Sequence, residues 1–427
     1  MTLAEKDLAY VWHPYTHQKL RSAPIPIVRG EGALLFDDQG SSYIDGISSW
    51  WVNIHGHAHP YIANKLFEQA SKLEHVIFTG FTHEPAVLLA EQLVALIPGV
   101  SKIFYSDNGS TATEVAIKMA LQYWLNKGIN RKKVIALNNS YHGDTFGAMS
   151  ISNRGLFNTA FDDKLFDVTF IDVPAKDNIS ELISIINSMD DAACFIYEPL
   201  LQGAGGMVMY EQEPLRILLE AIRSRGILCI ADEVLTGFYR TGSFFASQQL
   251  NIDPDIICLS KGLTGGTMAL GVTGCSKNIY DAFISDDKMK TFYHGHSFTA
   301  NPLACTAALA SLDLFKQEGC ITNIRNLCKK QMEFIEKLKP LQTEYNIKHL
   351  RVCGTICAFE VITDSSDSYL NSLMGQFTEF CMEEGVYLRP LGNTIYIMPP
   401  YCITEEQLKT VYSTVTKYLI NLKSNLV

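Results

Sequence analysis

The 427-residue sequence predicts an α/β protein, with one large domain built on a mostly parallel sheet covered by helices and a smaller α+β domain after it. Three observations carry this expectation. Short, uninterrupted apolar runs recur between about 84 and 300, each followed by a turn and then a helix-spaced segment. Runs without polar alternation mark strands buried on both faces, as parallel strands are. Beyond about 330 the pattern changes to a charged helix and isolated strands. Hydrophobic content of 47% with 19% charged residues is enough for a sizeable core.

In chain order, residues 1–30 hold the aromatic stretch Val11-Trp12-His13-Pro14-Tyr15-Thr16-His17, then a loop with Pro24 and Pro26. Aromatics this dense are expected to fold back over something. Residues 33–47 read as a hairpin turning at Asp37-Asp38-Gln39-Gly40. His55, His57 and His59 alternate, but no thiol or carboxylate cluster accompanies them. With Gly56 and Pro60 beside them they read as a loop entering a helix at 61–73, so no metal site is expected.

The strand–turn–helix pattern then begins. Lys102-Ile103-Phe104-Tyr105 leads to the turn Ser106–Thr111 and a helix with Val115, Met119 and Tyr123 on one face. Val134–Leu137 ends in Ser140-Tyr141-His142-Gly143-Asp144. Ala193–Tyr197 ends in Glu198-Pro199, Gly226–Ala231 in Asp232-Glu233, and Ile256–Leu259 in Ser260-Lys261-Gly262. A helix at 321–338, strands at 351–361 and 386–398, and a helix at 369–384 make the smaller unit. The chain therefore divides into a segment at 1–60 that packs with the small domain and the active site, a large domain at 61–325 and a small domain at 326–427.

A formal charge of -10 leaves no basic stripe for nucleic acid, so a small metabolite is the expected partner. No run is long enough to span a membrane. The eleven cysteines are odd in number, lack a Cys-x-x-Cys pair and sit partly inside apolar runs. With a charged, polar N-terminus, these features predict a reduced, cytoplasmic setting.

Ligands of parallel sheets bind beyond the carboxyl ends of the strands, where all these turns converge. Lys261 is the organising residue. An ammonium at the end of a buried strand is costly unless paired or neutralised, and a neutral amine there can form a Schiff base with a carbonyl compound such as pyridoxal phosphate (PLP). That cofactor needs a lysine, an anion for its ring nitrogen, a phosphate cradle, a ring stack and a substrate handle. Asp232 suits the ring nitrogen, and Gly109, Ser110 and Thr111, opening a helix, suit the phosphate. Tyr141 offers an aromatic face, and Arg389 a fork for a carboxylate. Singly these are a helix cap, a turn and a core tyrosine; together they describe one site. Gln202-Gly203-Ala204-Gly205-Gly206 fits neither a dinucleotide fingerprint nor a Walker loop.

Tyr141-His142-Gly143, Asp232-Glu233-Val234 with Thr236-Gly237-Phe238 and Arg240-Thr241-Gly242, and Ser260-Lys261-Gly262 resemble the class-III aminotransferases of PLP fold type I, over essentially the whole chain. Trp12-His13-Pro14-Tyr15-Thr16, Ser48-Ser49-Trp50-Trp51 and Arg389-Pro390 near Tyr396 are similar to the branch that aminates 8-amino-7-oxononanoate in biotin biosynthesis; the resemblance implies S-adenosylmethionine as donor, with lysine left open because lysine-using relatives exist. The resemblance implies a catalytic set of Lys261, Asp232 and Tyr15, with Gly109, Ser110, Tyr141, Asp232 and Lys261 holding the cofactor. It implies that Trp50, Tyr141, Lys261, Gly295 and Arg389 contact substrate. It also implies a homodimer in which His296 and Ser297 reach the partner's phosphate. Two departures stand out: His296-Ser297 replaces the family's usual Pro-Thr, and Tyr239 occupies a position commonly small, where it is expected to narrow the pocket. Other class-III ω-aminotransferases acting on ornithine, lysine or 4-aminobutyrate, or a non-catalytic PLP-binding protein, remain alternatives.

Overall fold

The computed structural model describes residues 1–19, 21–362 and 373–425. Its first strands form an antiparallel meander, β1 (Ile27–Glu31), β2 (Leu34–Asp37) and β3 (Ser42–Asp45), so the expected hairpin is present and gains a strand where the proline loop was expected. The central sheet holds β4 (Val100–Ser106), β5 (Lys133–Leu137), β6 (Val168–Ile171) and β7 (Ala192–Tyr197). A two-residue ribbon, β8 (Leu201–Gln202) with β9 (Val208–Met209), precedes its remaining strands, β10 (Leu228–Asp232), β11 (Ile256–Leu259) and β12 (Gly271–Ser276). The order is β4-β12-β11-β10-β7-β5-β6.

β12 runs antiparallel to both neighbours, and the other registered pairs are parallel. It escapes a sequence reading because two glycines dilute its pattern. Both are packing requirements: a Cβ on Gly271 would meet the Asn108 carbonyl oxygen at 2.3 Å, and one on Gly274 the Ile257 side chain at 3.0 Å.

Consecutive residues of β11 feed different cores, which is why the strand is apolar throughout. Ile256 and Cys258 pack with Val115, Met119 and Tyr123 of the helix Gly109–Asn126. Ile257 and Leu259 face the opposite core, with Leu89 and Leu93 of Glu84–Leu96, Leu215 and Leu219 of Gln212–Ser224, and Ala304 and Ala308 of Pro302–Phe315. Each fully buried Ile or Leu contributes roughly 1.5–3 kcal/mol, so a polar residue is costly anywhere along such a strand.

In the C-terminal part, β13 (Ile347–Cys353), β14 (Ile356–Val361) and β16 (Thr394–Ile397) form an antiparallel sheet. The single strand expected at 386–398 is two, because β15 (Val386–Tyr387) leaves to pair in parallel with β3. The charged helix spans Glu318–Leu338; the next spans Leu373–Glu383, with positions 369–372 of its expected start outside the described residues. Ile44, Ile47 and Trp51 share a core with Ile356, Phe359, Ile395 and Ile397. No described helix is long and apolar enough to cross a membrane.

Candidate active site

Parallel pairing sets the ends of β7, β10 and β11 side by side, Ala231 opposite Tyr197 and Asp232 opposite Cys258. Past β11 the chain enters a tight turn in which Lys261 itself has φ +45°. The turn lies hard against the segment after the tryptophans, since a Cβ on Gly266 would be 2.9 Å from backbone atoms of Val52 and Asn53. Lys261 Nζ sits 4.6 Å from the centre of the Trp51 ring. Burial lowers its pKa to about 8, against the opposing pull of Asp232 and Glu198 and with a further lowering from Arg240.

A testable consequence concerns pH. Only the neutral amine attacks a carbonyl, so capture of PLP by cofactor-stripped protein is expected to accelerate up to about pH 8 and level off above it. An ordinary lysine would keep accelerating to its own pKa of about 10.4. Stopped-flow absorbance measured across this range distinguishes the two.

Asp232 is buried at the sheet end. His142 Nδ1–H donates to its Oδ2 at 2.6 Å and the Val234 N–H donates to its Oδ1 at 3.1 Å. The other nitrogen of His142, Nε2, is buried and has no hydrogen-bond partner among the described residues. Glu198 completes this polar layer, its carboxylate accepting from the N–H groups of Tyr141 (3.1 Å) and Gly203 (2.9 Å). Burial pushes its pKa up to about 7, in spite of His142 nearby.

A cavity of about 640 Å³ joins these groups to the start of the helix Gly109–Asn126, taking in Gly109, Ser110, Tyr141, His142, Glu198, Asp232 and Lys261. The helix is capped by Asn108, whose side chain accepts from the Thr111 N–H. Thr111 does not serve as expected: its hydroxyl donates to Asp107 at 2.8 Å and is part of the cap. Ser110 Oγ accepts from the Asp144 N–H at 3.1 Å and keeps its own proton to donate. Glycine at 143 is what lets this loop approach, because a Cβ there would fall 2.0 Å from Ser110 Oγ. A helix start for phosphate, a buried carboxylate for a ring nitrogen and an amine of lowered pKa fit PLP.

A second cavity of about 250 Å³ shares Tyr141, Asp144 and Lys261 with the first and adds Tyr15, Trp50, Trp51, Phe157, Arg389 and Tyr396. Its aromatic walls meet edge to face, Tyr15 against Trp50 at 5.6 Å and against Phe157 at 5.7 Å. Tyr15 Oη lies 3.1 Å from Tyr141 Oη and donates to the Asp144 carboxylate. The Arg389 guanidinium carbon stands 5.2 Å over the Trp50 ring.

The expected residues are not all gathered here. Gly295, His296 and Ser297 line neither cavity, and His296 Nε2 is buried without a hydrogen-bond partner among the described residues. Tyr239 does not narrow the pocket: its ring packs on Phe244 and Phe315 at 5.2 and 5.4 Å and lines neither cavity. Of the N-terminal aromatics only Tyr15 reaches the site, while Tyr10 and Trp12 stay largely exposed. The alternating histidines part company, His55 bonding Ser311 and His57 bonding Asp45. Sequence reasoning assigned no role to Trp51, His142, Glu198, Asp144 or Phe157. Trp51 and His142 sit beside residues it did single out, Glu198 and Asp144 lie in strand-end turns it marked, and Phe157 carries no sequence signal.

The sequence pattern of the family described as aminotransferase class-III matches residues 15–419. The adenosylmethionine-8-amino-7-oxononanoate aminotransferase of Synechococcus elongatus is 44% identical over 96% of this chain and 98% of its own. That of Geobacter sulfurreducens is 41% identical over 95% of each. The crystal structure of the enzyme of that name from Methanocaldococcus jannaschii superposes with a TM-score of 0.92 at 36% identity, covering 97% of this chain and 98% of the other. An omega transaminase from Pseudomonas jessenii, in complex with PMP, has the same TM-score at 26% identity, covering 100% of this chain and 99% of its own. With the cavity geometry, these matches place the chain among the class-III aminotransferases, and it is a PLP-dependent transaminase.

Proposed function

We propose that the protein transfers an amino group to the ketone of 8-amino-7-oxononanoate, giving 7,8-diaminononanoate in biotin biosynthesis, with S-adenosylmethionine as donor. The observation that carries this reading is the shared name of relatives matched along nearly the whole chain. The omega transaminase has the same fold but is less similar in sequence, so the fold does not discriminate between substrates. The small cavity supports the reading chemically. A long apolar chain ending in a carboxylate needs stiff apolar walls and a cationic end, and Tyr15, Trp50 and Arg389 supply them.

PLP bound in the larger cavity supplies an aldehyde that captures amines and a ring that takes up an electron pair. Lys261 would hold the group between turnovers, and its neutral amine would then carry the proton between the substrate carbon and the cofactor's aldehyde carbon, on the far side of the transferred nitrogen. Asp232, braced by His142 and the Val234 N–H, holds the ring nitrogen protonated. Gly109 and Ser110 would hold the phosphate and Tyr141 would offer its face to the ring, while Tyr15 orients Tyr141 and Asp144. Gly295, His296 and Ser297 complete the site of a second chain, so the working unit is a homodimer. The cysteines are all free, which supports a reducing, cytoplasmic setting.

Arg389→Ala is expected to raise KM for 8-amino-7-oxononanoate by about tenfold or more, the loss of a hydrogen-bonded charge, with the PLP absorbance of the resting protein unchanged. Trp50→Ala is expected to act in the same direction through lost packing. Steady-state assays with each candidate amine test the reading. Reaction with ornithine, lysine or 4-aminobutyrate as the good amine, and none with 8-amino-7-oxononanoate, would end the biotin assignment and leave the transaminase one standing.

A further inference from the structure

The segment that carries both tryptophans of the small cavity has a backbone that is costly to hold. Ser48, Ser49 and Trp51 have φ of 53°, 58° and 67°. This is the left-handed region, where a side chain is penalised and which persists only where surroundings impose it. Several contacts do so here. The Ser48 hydroxyl donates to the Met398 carbonyl (2.9 Å), Trp51 Nε1–H to Tyr396 Oη (2.9 Å), and an Arg240 guanidinium N–H to the Trp51 carbonyl (3.3 Å).

The densest of these restraints is a carboxylate that touches neither cavity. Asp45, fully buried at the end of β3, accepts at Oδ1 from the Ile47 N–H (3.2 Å) and the Ser49 N–H (2.8 Å). At Oδ2 it accepts from the Ser49 hydroxyl (3.0 Å) and from His57 Nε2–H (2.9 Å). His57 is fixed in turn. Its backbone exchanges two hydrogen bonds with Gly32, at 2.7 and 3.2 Å, and the Asn53 side-chain amide donates to its Nδ1 at 3.0 Å. Gly30 leaves room for it, since a Cβ there would be 2.6 Å from the His57 Cβ. The chain thus passes from β3 through Asp45, around the strained turn and back through Asn53 and His57. The Lys261 turn packs against its Val52–Asn53 limb.

We infer that Asp45 and His57 form a latch that holds the strained turn, and through it Trp50 and Trp51, in the pose that selects the keto acceptor. They are positioning residues: neither lines the cavities, and their effect reaches the substrate through the turn they hold, whose Ile47, Ser49, Trp50 and Trp51 line the small cavity. With the latch open the turn relaxes to ordinary backbone angles and the Trp50 wall leaves the Arg389 end of the channel. The inference rests on the reading of Trp50 as a wall of the acceptor channel.

The test uses the holoenzyme and three variants. His57→Leu fills the space without donating, Asp45→Asn keeps the shape and removes the charge, and His57→Gln retains an N–H donor. His57→Leu and Asp45→Asn are expected to raise KM for 8-amino-7-oxononanoate about tenfold or more, as loss of a hydrogen bond to a charged group does, with kcat changed less than threefold. The visible PLP absorbance should stay, and the near-ultraviolet circular dichroism of the tryptophans should change. His57→Gln should recover most of both signals. Unchanged KM and dichroism in both disruptive variants overturn the latch. So does a joint fall of cofactor content and melting temperature that His57→Gln does not rescue, which marks a merely structural pair. If the wild-type protein does not use 8-amino-7-oxononanoate, the substrate reading fails on its own. The latch is then judged by KM for the acceptor the protein does use and by the same dichroism.

Discussion

Lys261→Ala is expected to abolish amino transfer, lowering turnover at least ~10⁴-fold, the upper range for one positioned acid–base group, because covalent capture of the cofactor is lost as well. The protein should fold, since a small side chain is accommodated at the mouth of a cavity, but its visible absorption band should vanish. Wild-type turnover in this variant would remove Lys261 from the chemistry. The same variant tests the two-chain site. Co-expressed with a Ser297→Ala chain, it is expected to form mixed dimers in which, on the proposed sharing, one site has both Lys261 and the partner's Ser297 intact. Activity above that of either variant alone is expected, and its absence would contradict sharing.

Asp232→Asn is expected to produce the second largest loss. The carboxylate faces the large cavity from the end of β10, with His142 and the Val234 N–H already bonded to it. An amide in its place keeps the shape but cannot hold a ring nitrogen protonated. Cofactor affinity should fall by the ~1.5–3 kcal/mol of a charge-assisted hydrogen bond. The proton-transfer step should slow by a further 10²-fold or more, in the range of a lost acid–base contribution. Equilibrium dialysis measures the first quantity and single-turnover absorbance the second. A single-turnover rate equal to wild type would refute the assigned role.

What the sequence could disclose followed from chemistry confined to short stretches. Continuous apolar runs declared β5, β7, β10 and β11, because each alternate residue of those strands goes to a different core. Lys261, Asp232 and Tyr141 were legible because polar residues directly after such runs have only the sheet end to occupy. β12 was not, since its glycines answer to Asn108 and Ile257, which are near only in space. Thr111 misled for a local reason: its hydroxyl serves the helix cap. Tyr239 misled because a residue beside a buried arginine can turn toward Phe244 and Phe315 as easily as toward the pocket. The orphaned nitrogen of His142 and the raised pKa of Glu198 depend on who else is buried with them, which a linear chain does not record.

The pairing of β3 with β15 has a consequence for how the chain is made. Ser48, just past β3, hydrogen-bonds to Met398, 350 residues later. A ribosome adds about 5–20 residues per second, so the N-terminal meander spends much of the synthesis time outside the tunnel with one edge bare. During that interval the strained turn beside it lacks the Met398 carbonyl and Tyr396 hydroxyl that hold Ser48 and Trp51. The substrate chamber is therefore a late product of translation, closed only after Tyr396 and Met398 have emerged. A nascent chain stalled before that point would carry a finished central sheet and an open, sticky margin for chaperones to guard.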